Sequence, residues 1–167
     1  MNDRATALAA LLIRNFNDAP MDSFVREPLY ESKGARLARG TAAKKLGASV
    51  DIVAPGKVTC PYHLHHAQEE MFVVLEGEGT LRVAGEMLPL RTGDVVFIPA
   101  GTDYPHQIVN SSTRPLKYLS ISTQESPEIC EYPDSNKFMA GAAGSRGRGF
   151  DVIQPKQPSV DYWEGEP

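Results

Sequence analysis

Three of the four histidines in this chain fall within four residues, in Pro61-Tyr62-His63-Leu64-His65-His66-Ala67-Gln68-Glu69-Glu70. The fourth, His106, stands about forty residues on, behind Pro99-Ala100-Gly101. On an extended strand alternate side chains share a face, so His63 and His65 project together and His66 points away. Two adjacent imidazoles, a carboxylate shortly after them and one distant imidazole can surround one divalent ion. Cys60 lies three residues before His63 and alternates away from that face, so it reads as a small buried apolar residue. No Gly-rich phosphate loop, nucleophile elbow or dinucleotide fingerprint accompanies the cluster.

The elements that must position these residues read as short strands. Leu46–Val53 ends at Pro55-Gly56, and the apolar run Met71–Leu75 ends at Glu76-Gly77-Glu78-Gly79. Thr80–Val83 meets Ala84-Gly85, a hairpin signal. Met87–Leu90, Val95–Ile98, Gln107–Val109 and Leu116–Ile121 complete the series. Strands at this spacing, with no long helical period between them, indicate an all-β barrel or sandwich. Ahead of them, the apolar stretch Ala5–Ile13 reads as a short helix with Asp3 near its start and Leu8, Leu11 and Leu12 on one side. It is too short to span a membrane and has no convincing cleavage site after it. Behind them, residues 125–167 read as an extended arm. Its Ala140–Gly149 stretch is expected to be mobile, and Tyr162-Trp163 to seek burial on this domain or a partner subunit. The expected organisation is an N-terminal extension over 1–33, a barrel over 34–124 and the arm over 125–167.

A chain of 167 residues makes one domain with a real core. Apolar content of 41% and charged content of 23% are ordinary for a globular protein. A net charge of −4 provides no basic footprint for nucleic acid and no attraction to an anionic membrane. The pair Arg146 and Arg148 reads as a solvated loop. Cys60 and Cys130, the only cysteines, form no Cys-x-x-Cys pattern, and a reducing cytoplasm is the expected setting.

The motifs together resemble the cupin superfamily. Its first motif is a glycine, then His-x-His, a glutamate and a glycine, filled here by Gly56, His63-Leu64-His65, Glu70 and Gly77. Its second is filled by Gly93, Pro99, Gly101, His106 and Asn110. Four residues separate Gly101 from His106 where the strict pattern has two, and Tyr104 stands where that pattern places histidine. The spacing of His106 to Asn110 keeps the ligand role on His106. Weaker resemblance runs over about 34–135, to single-domain bacterial cupins of which some are called sugar-phosphate isomerase-like and others dioxygenase-like.

The resemblance implies a double-stranded β-helix, or jelly roll, with His63, His65, Glu70 and His106 projecting inward as ligands of one divalent metal ion. It also implies that Phe72, Val74 and Ile108 line the pocket. Tyr104 shares parity with His106 and is a weak candidate for catalysis at the pocket mouth. Glu69, Gln68 and His66 read as outward-facing, and Asn110 as structural. Three imidazoles and a carboxylate suit Fe, Mn, Ni, Zn or Cu, and the donor set does not choose among them. Exchange of edge strands makes a homodimer the expected assembly.

Three functions follow. One is a metal-dependent enzyme on a small oxygenated molecule, either a dioxygenase or a sugar or sugar-phosphate isomerase or epimerase. The others are a metal-bound ligand-binding or sensing module, and a structural shell. An isomerase needs a general base in the pocket. No inward lysine or free carboxylate is evident beside the motif, which ranks the dioxygenase slightly ahead.

Overall fold

The computed structural model describes residues 3–142 and 149–167. Among these residues one α-helix, α1 (Asp3–Leu12), precedes thirteen strands. They are β1 (Asp22–Arg26), β2 (Tyr30–Arg36), β3 (Leu46–Val53), β4 (Leu64–His65), β5 (Glu70–Glu76), β6 (Glu78–Val83), β7 (Glu86–Arg91), β8 (Val95–Ile98), β9 (His106–Val109), β10 (Leu116–Thr123), β11 (Glu128–Tyr132), β12 (Lys137–Ala142) and β13 (Phe150–Pro155). They form three sheets, ordered β1-β2-β3-β10-β5-β8, β13-β12-β11-β4 and β7-β6-β9.

The period-2 pattern read from the sequence decides which faces close on each other. On β5, Phe72 and Val74 are buried while Met71 and Val73 are only partly so. With Val53, Leu81, Leu90, Ile98, Ile108, Leu116 and Tyr118 they form one apolar cluster inside the barrel. Leu116 has no exposed surface. The β6–β7 hairpin turns at Ala84-Gly85 with φ of 49° and 85°. Two positive φ values are what a tight two-residue hairpin needs to match the twist of its strands. At Gly77, φ is 87° and a side chain would meet the Pro115 carbonyl oxygen at 2.6 Å, so only glycine lets β5 turn into β6 there.

Both ends of the chain contribute more than flanking tails. β2 runs through the boundary expected between residues 33 and 34, and β1 and β2 extend the larger sheet. Lys33-Gly34 interrupts any apolar alternation there, which hides the strand. The segment expected as an extended arm supplies β11–β13. β11 pairs with β4, setting Cys130 opposite His65. Ala140–Ala142, expected to be mobile, lie in β12, while Arg146 and Arg148 lie outside the described residues. Tyr162 and Trp163, expected to be buried, are 83% and 69% exposed and pack edge-to-face on each other. Among the described residues no helix is long and apolar enough to cross a membrane. α1 buries none of its residues, and Leu8, Leu11 and Leu12 are exposed.

Candidate metal centre

Backbone pairing brings the distant histidine to the cluster. His63 N donates to the His106 carbonyl oxygen at 3.0 Å, and His106 N donates to that of His63 at 2.7 Å. Such a reciprocal pair sets two side chains side by side on one face. The loop after β8 is tied in as well, since Gly101 N donates to the His65 carbonyl oxygen at 2.8 Å. Glu70, the first residue of β5, comes to the same point from the adjoining sheet. Its Oε2 lies 2.8 Å from His106 Nε2, 3.5 Å from His65 Nε2 and 3.6 Å from His63 Nε2.

These separations fit a common central ion. Donor atoms held 2.1 Å from one metal lie about 3.0 Å apart at right angles and about 3.4 Å apart at tetrahedral angles. Glu70 Oε2 and His106 Nε2 are buried and have no hydrogen-bond partner. The two atoms lie 2.8 Å apart without the geometry of a hydrogen bond. Buried polar atoms left without a partner are costly unless something else binds them. His63, Glu70 and His106 place one donor atom each within 4.8 Å of one another. His65 stands at the edge of this set, with Nε2 3.5 Å from Glu70 Oε2 and its ring 5.0 Å from that of His63.

Each imidazole is oriented by its other nitrogen. His63 Nδ1 faces the Pro61 carbonyl oxygen at 2.9 Å, and His106 Nδ1 faces that of Tyr104 at 3.2 Å. His65 Nδ1 faces Glu128 Oε1 at 3.3 Å. Glu128 is 7% exposed, and its carboxylate also accepts the backbone N–H groups of His66, Ala67 and Gln68. One carboxylate thus fixes both the loop after the histidines and the ring of His65. Outer partners of this kind tune metal affinity by about 10- to 100-fold. Glu128→Ala is expected to weaken metal binding by about that factor while the barrel stays folded, as measured by competition with a chelator. Unchanged affinity would leave Glu128 as a loop brace alone. Nothing local in the sequence marks this residue, because it reaches His65 only through the pairing of β11 with β4.

The donors compete with protons. Burial opposes the charge on Glu70, but the His106 and His63 imidazoles beside it hold its pKa well below the usual carboxylate range. Burial likewise opposes the charge on His63, but Cys60 and Glu70 outweigh it, and the His63 pKa is pushed up to about 11. Burial lowers the pKa of His65. At neutral pH the metal-free pocket therefore stores a proton on His63, which an incoming cation must displace. Affinity should rise with pH, with about one proton released per ion near neutrality. Calorimetry in buffers of different ionisation enthalpy reads that number, and zero release would contradict the arrangement.

The donors open onto a cavity of about 220 Å³. Phe72 and Ile108 line it, whereas Val74 packs in the core cluster away from the lining. Tyr104 is 47% exposed, and its side chain is not part of the wall. It belongs to an irregular loop, and the alternation of β9 begins only at His106. Cys60, expected to face away, lines the cavity with its sulfur 3.9 Å from His63 Nδ1, because residues 60–63 do not form a regular strand. His66 points outward to Glu131, and Glu69 is exposed. Asn110 is fully buried and structural, donating to the carbonyl oxygens of Val53 and Arg114.

Asp51 on β3 also lines the cavity. The Ser49 hydroxyl donates to its Oδ2 at 2.7 Å. Burial raises the Asp51 pKa, and the bond from Ser49 offsets only part of the rise. The cavity thus contains a carboxylate that is not part of the donor cluster.

The family model for the Cupin domain matches residues 49–122, the span from β3 to β10 that carries every donor residue. An uncharacterized protein of Methanocaldococcus jannaschii is 30% identical over 115 residues, covering 65% of this chain and 82% of that protein. The chain belongs to the cupin superfamily. Auxin-binding protein 1 of Arabidopsis thaliana is 30% identical to this cupin over 133 residues, or 74% of the chain and 64% of that protein. Among solved structures, a provisionally named sugar phosphate isomerase from Acidithiobacillus ferrooxidans superposes with a TM-score of 0.72 at 26% identity. That match covers 86% of this cupin and 92% of the other chain.

Proposed function

We propose that this cupin is a metal-dependent enzyme that moves a proton between carbon atoms of a small hydroxy-carbonyl compound, in the manner of a sugar isomerase or epimerase. The observation that carries this reading is Asp51, which shares one cavity with the His63–Glu70–His106 donors. A general base was the part such an enzyme lacked in the sequence, and its presence moves the proton-transfer reading ahead of the dioxygenase. The likeness to the Acidithiobacillus protein agrees with it.

His63, Glu70 and His106 would hold the divalent ion, with His65 as a further donor aligned by Glu128. A bound ion would supply a Lewis acid that polarises a carbonyl oxygen. Asp51 accepts the proton from the carbon beside that carbonyl as the C–H pair moves into a carbon–carbon double bond and the carbonyl pair moves onto its oxygen. It then returns the proton to the former carbonyl carbon, while the hydroxyl on the first carbon passes its proton to the former carbonyl oxygen and becomes the new carbonyl. Ser49 fixes the carboxylate through its hydrogen bond. Burial keeps the Tyr118 phenol protonated, so it stands in the wall as a donor.

Two measurements test the reading together. Protein purified without affinity tag or chelator is assayed for metal by elemental analysis. It is then incubated with aldoses and ketoses in deuterium oxide. A stoichiometric divalent ion with deuterium entering the carbon next to the carbonyl supports the proposal. Oxygen consumption without exchange would favour the dioxygenase, and absence of metal after reconstitution would remove the catalytic reading.

A homodimer is proposed as well. Phe97, 72% exposed, and Val95 stand on the sheet-edge strand β8, where a second copy would cover them. The free cysteines Cys60 and Cys130 support a reducing, cytoplasmic setting.

A further inference from the structure

A second cleft, of about 590 Å³, adjoins the metal cavity and is lined by Arg36, Arg39 and Lys44. Ser120 belongs to the walls of both. Ser49 lines the cleft and donates to Asp51, which lines the cavity. The strand register explains the continuity. Arg36, Ser49, Ser120 and Phe72 lie in one row across β2, β3, β10 and β5. In the next row Gly47 and Ser122 lead to Glu70. Two strand spacings of about 4.8 Å separate Gly47 from Glu70, so the cleft begins about 10 Å from the donor cluster.

The charge of this cleft is one-sided. Among the described residues, no aspartate or glutamate contributes to its wall. None of its three cations appears among the ion pairs of the described residues, whereas Lys57, Arg82, Lys117 and Lys156 each have a carboxylate. Three cations facing one hollow repel each other unless an anion joins them. The Leu37–Lys45 loop that carries Arg39 and Lys44 is held in place from several sides. Leu37 N donates to the Ala48 carbonyl oxygen, Ala42 N to that of Leu11, and Gln124 N to that of Lys45. Arg14 donates to the Gly40 carbonyl oxygen. At Gly47 a side chain would meet Gln124 Nε2 at 2.7 Å and Ser122 Oγ at 2.8 Å, so glycine leaves room for the Gln124 amide to bond Ser122.

We propose that Arg36, Arg39 and Lys44 bind a phosphomonoester on the substrate whose reacting end occupies the metal cavity. The inference rests on that cavity being the reaction site, and it narrows the substrate to phosphorylated compounds. Two guanidinium groups and an ammonium offer a charged donor to each of the three terminal oxygens of a phosphate dianion and more than offset its charge. The Ser120 and Ser122 hydroxyls supply uncharged donors between the two ends.

The test titrates inorganic phosphate into the full chain by calorimetry and repeats it with acetate and malonate. It is run on the wild type, on Glu70→Gln and on Arg36→Ala/Arg39→Ala/Lys44→Ala. These three side chains are exposed, so the triple variant should fold, and circular dichroism checks it. One saturable phosphate per chain is expected, kept in Glu70→Gln and weakened at least tenfold in the triple variant, whose metal content stays unchanged. Unsaturable binding, or binding equal in the triple variant, overturns the proposal. Malonate binding as tightly as phosphate at the same residues would replace the phosphate by a carboxylate and overturn it also. Phosphate binding that vanishes in Glu70→Gln places the anion on the metal instead. If phosphate binds as expected but no metal is found, the reading of the cavity fails while the anion cleft stands.

Discussion

Glu70→Ala and His63→Ala are each expected to lose bound metal, with affinity falling by more than about 100-fold, since removing a ligand should exceed the loss from removing an outer partner. Glu70 is central because its Oε2 is the atom from which His63, His65 and His106 are all within 3.6 Å. Without it the three imidazoles lose the carboxylate they share, and the part that Glu70 plays beside Cys60 in raising the His63 pKa goes too. Neither residue belongs to the apolar cluster that holds the barrel together, so the variants should unfold cooperatively with wild-type secondary structure. Elemental analysis beside circular dichroism checks both halves. If both variants retain stoichiometric metal in a folded barrel, the donor assignment is wrong. If both unfold, Glu70→Gln, which keeps the shape, repeats the measurement.

Some of this site is legible in the chain and some is not, and the division has a physical cause. The donors His63 and His65 stand on one segment, where strand alternation predicts that they share a face, and the family pattern adds Glu70 from the next strand. His106 could be added because its spacing to Asn110 and the Pro99-Ala100-Gly101 element follow a family pattern. Tyr104 was misplaced by extending that alternation back into a loop that has none. Asp51 and Glu128 could not be found this way. Asp51 is placed by the antiparallel register of β3 against β10, which sets it opposite Tyr118. Glu128 is placed by a two-residue contact between β4 and β11. Neither register leaves a local signature, because long-range pairing is settled by the whole sheet. The strands from β3 to β10 were legible because apolar residues alternate between glycine and proline breaks. β11–β13 were not, because Glu128–Tyr132 mixes two glutamates with a cysteine and the following strand is rich in small residues.

Asp51→Asn is the substitution expected to separate catalysis from metal binding. Asparagine keeps the size of the side chain and an oxygen that can accept the Ser49 hydroxyl, so the wall should keep its shape. It cannot take up a proton. Loss of a positioned general base typically costs about 10²- to 10⁴-fold in rate. kcat should fall by that factor, while metal content and KM change little and deuterium exchange into the substrate stops. The pH profile adds a readout that a structural role would not produce. A base works only when ionised, so the wild-type rate should fall as pH drops through the Asp51 pKa. Burial raises that pKa, so the acid limb should sit above the ordinary aspartate value of about 3.9. The residual activity of Asp51→Asn should lack this limb. Asp51→Glu, which restores a carboxylate on a longer arm, should recover part of the rate and the limb with it. If Asp51→Asn keeps wild-type exchange with metal bound, the proton is moved by another group and Asp51 is a polar wall of the cavity.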